Sequence, residues 1–209
     1  TRIVFLANPN NPTGTIYRKA TWEAFLKQVP PDVLIIVDEA YFEYVEATDY
    51  PNSLDYHHQG KTLLTLRTFS KLYGLAGLRI GYGIADEDII SLMHRVRQPF
   101  NVNAPAQWAA LAALNDSEHV RRSLDSNRQG LEYLTAELAR LGIEYIPSHA
   151  NFILLRVGKG EDVFNRLLAQ GIIVRPMAGY QFPEYLRVTI GTMDENRKFI
   201  DGLKKAFRA

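Results

Sequence analysis

Lys71 stands in residues 65–83, TLRTFSKLYGLAGLRIGYG, with two hydroxyls just before it, Thr68 and Ser70, and Arg79 eight positions after it. Two hydroxyls and a guanidinium on one loop make an anion site, because each donates a hydrogen bond that the charge of a phosphate strengthens. A lysine beside that site, flanked by Phe69 and Leu72, loses part of its hydration; this disfavours the ammonium form and leaves an amine able to attack a carbonyl carbon. The plain alternative is a strand end and a Gly-rich turn with Lys71 in solvent. Anion site and amine together fit a phosphorylated aldehyde.

Other polar residues lie just past apolar runs, where a parallel sheet binds its ligands. Asp38 directly follows the run 33–37 and opens DEAY. A carboxylate there is costly unless it caps the next segment or meets a cation, and both readings stand. Tyr41, three residues on, can present its phenol the same way or simply pack. Asn11 lies in NPNNPTG, residues 8–14, whose residue types an ordinary tight turn also explains. Arg175 follows Ile172-Ile173-Val174, and Arg187 sits within residues 186–190. Each alone reads as a snorkelling strand residue, yet as a pair around a loop bearing Pro and Gly they can grip two anionic groups of one substrate.

Pyridoxal 5′-phosphate is a phosphorylated aldehyde whose chemistry uses all these types. Lys71 suits the aldehyde, Thr68, Ser70 and Arg79 the phosphate, Asp38 the pyridine nitrogen, and Asn11 with Tyr41 the phenolic oxygen.

Such residues need a scaffold. Residues 3–6 and 33–37 are continuous apolar runs of strand length, the pattern of strands buried on both faces of a parallel sheet, and further strands are expected over 62–66 and 78–84. Trp22, Phe25, Leu26 and Val29 mark a helix stopped by Pro30-Pro31. Another, capped by Asp86, carries Ile89, Ile90, Met93 and Val96. The rhythm changes near Pro99. A helix over about 104–114 precedes a long one whose apolar stripe, Val120 to Leu141, ends at Gly142. Strands are expected near 144–146, 152–155, 172–174 and 185–190, with a helix over 162–169. The last helix opens on the capping box of Thr192 and Glu195 and buries Phe199, Ile200, Leu203 and Phe207. The fold class is α/β, a sheet between helices followed by a smaller α+β part.

The 209 residues, 46% hydrophobic, suffice for a buried core. With 24 basic and 23 acidic residues the net charge is +1, which offers no footprint for nucleic acid or an anionic membrane surface. There is no cysteine, so disulfides, thiolate catalysis and Cys-based metal sites are excluded. His57, His58, His94, His119 and His149 lack metal-ligand spacing, so no metal is expected. No apolar run reaches the ~18 residues that span a bilayer, and a cytoplasmic location is expected. Thr1 leads straight into an apolar run, as in a piece of something longer.

Taken in order, NPNNPTG, DEAY, TFSKLYGLAGLRIGY, HANF (149–152), VRPMAGY (174–180) and LRVTIGT (186–192) resemble the fold type I, pyridoxal-phosphate-dependent aminotransferases. The likeness runs from about Ile3 to the end of the chain; its motifs are specific in combination, and the last two are most similar to the histidinol-phosphate branch. The resemblance implies that Lys71 binds the cofactor aldehyde and moves the proton between the substrate α-carbon and the cofactor. It gives Asp38 the pyridine nitrogen, Asn11 and Tyr41 the phenolic oxygen, and Thr68, Ser70 and Arg79 part of the phosphate cup. It gives Arg187 the substrate α-carboxylate and Arg175 the substrate phosphate, with Asn11 also bordering the substrate.

The implied reaction moves an amino group between histidinol phosphate and 2-oxoglutarate in histidine biosynthesis, within a homodimer. Residues 1–98 correspond to the C-terminal portion of the large cofactor-binding domain, and 99–209 to linking helices and the small C-terminal domain. Members of the family are nearly twice as long, and their N-terminal part supplies further phosphate contacts, a ring stacked on the cofactor and contacts to the neighbouring subunit. The chain alone is therefore expected to bind cofactor weakly and to be catalytically impaired. Alternatives are an aromatic or broad-range aminotransferase, a phospho-amino-acid decarboxylase, and a non-catalytic pyridoxal-phosphate-sensing domain.

Overall fold

The computed structural model describes residues 1–208. Its contacts divide into two compact units, one of Thr1–Asn10 with Ile16–Val120, the other of Asn11–Thr15 with the residues from Arg121 onward.

In the first unit β1 (Ile3–Ala7), β2 (Leu34–Asp38), β3 (Thr62–Thr68) and β4 (Gly81–Ala85) form one sheet in that order. The first three are parallel and β4 is antiparallel to β3. Register sets Ala7, Asp38 and Leu66 side by side, so the loops leaving β1, β2 and β3 emerge along a single sheet edge. Successive residues face opposite sides. On one face Ile35, Val37 and Leu63 join Trp22 and Leu26 of α1 (Lys19–Gln28) and Tyr56 in a buried core. Each such side chain contributes about 1.5–3 kcal/mol by leaving water. The opposite face carries Asp38 and also Phe5, which is 72% exposed.

Three helices follow β4. Asp86 occupies the N-cap of α2 (Glu87–Val96), yet its side chain makes no cap bond, and no residue of α2 is buried. Val96, at the end of the expected apolar stripe, is 83% exposed. The side chain of Asn103 caps α3 (Ala104–Leu114) by accepting the Ala106 N–H at 2.8 Å. α4 (Ser117–Arg140) is the long helix expected. It ends where Gly142 takes φ +66°, so that the Ile143 N–H reaches the Leu138 carbonyl at 2.9 Å.

The second unit holds β5 (Tyr145–Ile146), β6 (Phe152–Arg156), β7 (Arg175–Pro176) and β8 (Tyr185–Thr189), an antiparallel sheet in the order β5-β6-β8-β7. Against it pack α4, α5 (Gly160–Leu168) and α6 (Met193–Arg208), with Leu134, Ile153, Leu167, Leu186 and Ile200 fully buried in one core. The capping box forms: Thr192 N–H donates to Glu195 Oε2 at 2.7 Å, and Glu195 N–H to Thr192 Oγ1 at 3.4 Å.

Three further expectations differ from the structure. Residues 172–174 are not a strand, and Ile173 is 81% exposed; the paired segment is only Arg175-Pro176, cut short because proline has no N–H for the ladder. Phe207 is half exposed at the end of α6. Arg79 does not begin a strand: it takes the left-handed conformation, φ 56°, after a 3₁₀ turn at Ala76–Leu78. The fourth strand is antiparallel, which a run of apolar residues does not reveal.

Gly130 lies where α4 meets the loop before α6. A Cβ there would come within 2.6 Å of Asn196 Nδ2 and Ile190 Cγ2. Asn196 is buried and makes two bonds of 3.0 Å to the backbone of Gly191, so it cannot yield cheaply. Gly130→Ala gains about 1 kcal/mol of helix propensity, but the crowding costs about 1–3 kcal/mol and strains both bonds. The expected result is net destabilisation, measured by urea unfolding; a more stable variant would show that the neighbours relax freely.

Candidate active site

Along the carboxyl edge of β1, β2 and β3 lie Asn8, residues 38–41 and residues 68–71. Asn8 is buried and accepts the Tyr17 N–H on Oδ1 at 3.0 Å, while Tyr50 donates its hydroxyl to the Asn8 carbonyl. Asp38 is exposed, and its Oδ1 accepts the Ala40 N–H at 3.0 Å, a turn bond that leaves Oδ2 for another partner. Tyr41 is buried, and Lys71 Nζ lies 5.2 Å from the centroid of its ring, within cation–π range. Lys71 is half-buried between the buried side chains of Phe69 and Leu72.

The turn around Lys71 is held on several sides. Phe69 N–H donates to the Ile80 carbonyl at 3.2 Å, Gly74 N–H to that of Lys71 at 3.0 Å, and His119 Nε2 lies 2.9 Å from that of Leu72. Thr68 Oγ1 accepts the Ser70 N–H at 3.0 Å, which sets the two hydroxyls relative to each other. Arg79 is exposed and gives one N–H to the Ala76 carbonyl at 2.7 Å, keeping its other donors.

One element of this edge is missing from the sequence reading. Glu39 is fully buried, and its Oε2 accepts Nε and Nη2 of Arg67 at 3.0 and 2.8 Å. The signal was available in strand alternation, which turns Glu39 to the face opposite Asp38. Burial pushes the Tyr50 and Tyr17 phenols far up, with Glu39 adding to both, and pushes Tyr44 up to about 12. Burial also raises the Glu43 carboxyl.

Asn11, Arg175 and Arg187 belong to the second unit. Arg175 and Arg187 are directly opposite each other on β7 and β8, so their side chains share one face of the sheet. Two cations so placed repel each other, and an anion between them relieves the repulsion. Arg187 donates through Nη1 to Asn11 Oδ1, and its guanidinium lies 5.1 Å from the centroid of the Phe152 ring. Residues 11–15 are tied to the HANF segment by the His149 N–H, which donates to the Gly14 carbonyl at 2.8 Å. Gly14, at φ +72°, also allows that approach because a Cβ would collide with Ser148 Oγ.

The structure thus gathers Asp38, Tyr41, Thr68, Ser70, Lys71 and Arg79 in one unit and Asn11, Arg175 and Arg187 in the other. The first set has the chemistry of a phosphorylated pyridine aldehyde's partners: an amine, a carboxylate, and hydroxyl and guanidinium donors. Among the described residues no three His, Asp or Glu side chains gather to hold a metal ion, and no helix is long and apolar enough to cross a membrane.

Comparison with known proteins agrees with that chemistry. The profile of a family described as aminotransferase class I and II matches residues 1–203. A histidinol-phosphate aminotransferase of Moorella thermoacetica is 51% identical over 207 residues, 98% of this chain and 54% of the relative. One from Akkermansia muciniphila is 47% identical over 205 residues, 98% of this chain and 56% of the relative. The crystal structure of histidinol-phosphate aminotransferase from Sinorhizobium meliloti in complex with pyridoxal-5′-phosphate superposes with a TM-score of 0.90 at 27% identity, covering 99% of this chain and 57% of that one. The chain therefore spans about half the length of the curated relatives it matches.

Proposed function

Because this chain belongs to the aminotransferase class I and II family, we propose that it carries the lysine-bearing part of a pyridoxal-phosphate-dependent aminotransferase that acts on histidinol phosphate and 2-oxoglutarate in histidine biosynthesis. The observation that carries the proposal is the placing of Lys71, half-buried over Tyr41, on the sheet edge where the neighbouring strand ends in Asp38. Bound there, pyridoxal phosphate supplies an electron sink conjugated to the reacting carbon.

Each residue then has a physical task. Asp38 would hold a proton at the pyridine nitrogen through a charge-assisted bond. Tyr41 and Asn11 donate to the phenolic oxygen. Thr68, Ser70 and Arg79 take part of the phosphate. Lys71 would hold the aldehyde and would move the substrate α-proton, a general acid–base role worth typically 10²–10⁴-fold. Arg187 and Arg175 receive the anionic groups of the substrate. Histidinol phosphate brings a phosphate and glutamate two carboxylates, and two opposed guanidiniums serve both. Residues 1–98 act as the C-terminal portion of the cofactor domain and 99–209 as the linking helices and small domain, in a cytoplasmic homodimer.

Borohydride reduction of the complete protein incubated with pyridoxal phosphate tests the proposal. The expected result is one labelled peptide containing Lys71, released from labelling by prior addition of histidinol phosphate; label elsewhere, or none, removes Lys71 from the chemistry. Arg175→Gln is expected to raise KM for histidinol phosphate on the order of tenfold or more, the value of a charged hydrogen bond, while leaving turnover of phenylalanine within about twofold. Equal losses on both substrates would show that Arg175 does not read phosphate.

A further inference from the structure

The chemistry above makes no use of the buried pair of Glu39 and Arg67, yet the pair sits between its parts. Glu39 directly follows Asp38, and Arg67 directly precedes Thr68. The bond between them joins the end of β2 to the end of β3, where the two groups of site residues begin. Arg67 also lies over the ring of Phe42, its Cζ 3.7 Å from the centroid. Its contacts with Glu39 and Phe42 fall on either side of Ala40 and Tyr41, so one guanidinium grips both ends of the segment that carries Tyr41. A third segment anchors the assembly: Glu39 Oε1 accepts the Ser53 N–H at 2.9 Å, and Arg67 Nη2 donates to Asn52 Oδ1 at 3.0 Å.

From this we infer that Glu39 and Arg67 are positioning residues, which fix the loop after β2 against β3 so that the Asp38 carboxylate and the Tyr41 ring keep their places relative to Lys71. The inference rests on the cofactor reading proposed above. The residue types fit the task. A lysine at 67 would supply the charge but neither the two-pronged bond nor the flat face for Phe42. An apolar pair would fill the volume without fixing a direction, since it lacks the two-pronged hydrogen bond that adds geometric specificity. A shift of the loop by a fraction of an ångström changes how firmly Asp38 holds the pyridine proton. That appears in the cofactor's own spectrum as well as in turnover.

The test compares the complete protein, loaded with pyridoxal phosphate, with two variants, R67K and E39Q/R67M. The first keeps the charge and loses the fork; the second leaves no unpaired charge in the interior, and R67K decides the matter alone if the double variant does not fold. Borohydride is expected to label Lys71 in each. The pH midpoint of the visible absorption band is expected to move by about one unit in each, a tenfold change in proton affinity. Loss of alignment should lower kcat on the order of ten- to a hundredfold, with KM for the amino donor within about threefold. Variants that titrate at the wild-type midpoint and turn over within about twofold of wild type overturn the inference, whatever their melting temperatures. If the wild type itself takes no label at Lys71, the cofactor reading falls and this inference with it. A labelled wild type beside unmoved variants overturns the inference alone.

Discussion

Lys71→Ala in the complete protein is expected to abolish borohydride capture of pyridoxal phosphate and to lower amino transfer by at least about 10⁴-fold, because the proposed function gives one side chain two tasks, covalent anchor and carrier of the α-proton. The loss should fall on kcat; KM for histidinol phosphate should move little, since its phosphate is assigned to Arg175. Stability should also move little. The packing around residue 71 comes from Phe69 and Leu72, and the turn is held by the backbone bonds of Phe69 and Gly74. Melting temperature measured beside turnover separates lost chemistry from lost fold. Lys71→Arg should be as inactive, since a guanidinium stays protonated and cannot attack an aldehyde. A loss of less than about tenfold in the alanine variant would exclude both roles.

Arg67→Met is expected to cost about 3–5 kcal/mol, the penalty for leaving one partner of a buried ion pair alone in the interior. Glu39 is fully buried and the Arg67 side chain only 11% exposed, so solvent does little to screen the stranded carboxylate. Out of a total stability of about 5–15 kcal/mol, this is a large fraction. Adding Glu39→Gln removes the stranded charge and should recover most of it, to within about 1–2 kcal/mol of wild type. The non-additivity of the two substitutions, measured by denaturant unfolding of each single variant and the pair, gives the coupling directly. Additive losses would mean that the two side chains touch without depending on each other.

The strands that position the site were legible because two-sided burial leaves uninterrupted apolar runs, as in residues 33–37. The long helix was legible through its stripe and the glycine that ends it. Asp38, Lys71 and their hydroxyls were candidates because polar residues just past such runs stand where a parallel sheet binds ligands, and the structure places them along one sheet edge. Glu39 escaped because it sits beside a more conspicuous carboxylate, and its partner is 28 residues away on another strand. The opposition of Arg175 and Arg187 escaped as well. It depends on a two-residue strand whose pairing is set by tertiary context, and Ile172-Ile173-Val174 pointed to a strand three residues too early. Arg79 in the left-handed conformation contradicts the ordinary preference of a non-glycine residue, and nothing in its neighbours announces it.

Phe5, Val96, Phe100 and Trp108 all stand more than 70% exposed on the first unit. In solution terms, this chain carries a large wetted apolar area while its net charge is only +1, so little long-range repulsion keeps two copies apart. A preparation of these 209 residues alone would then behave as an adhesive colloid: it would bind hydrophobic dyes, associate more as salt is raised, and lose soluble protein with concentration well before it loses secondary structure.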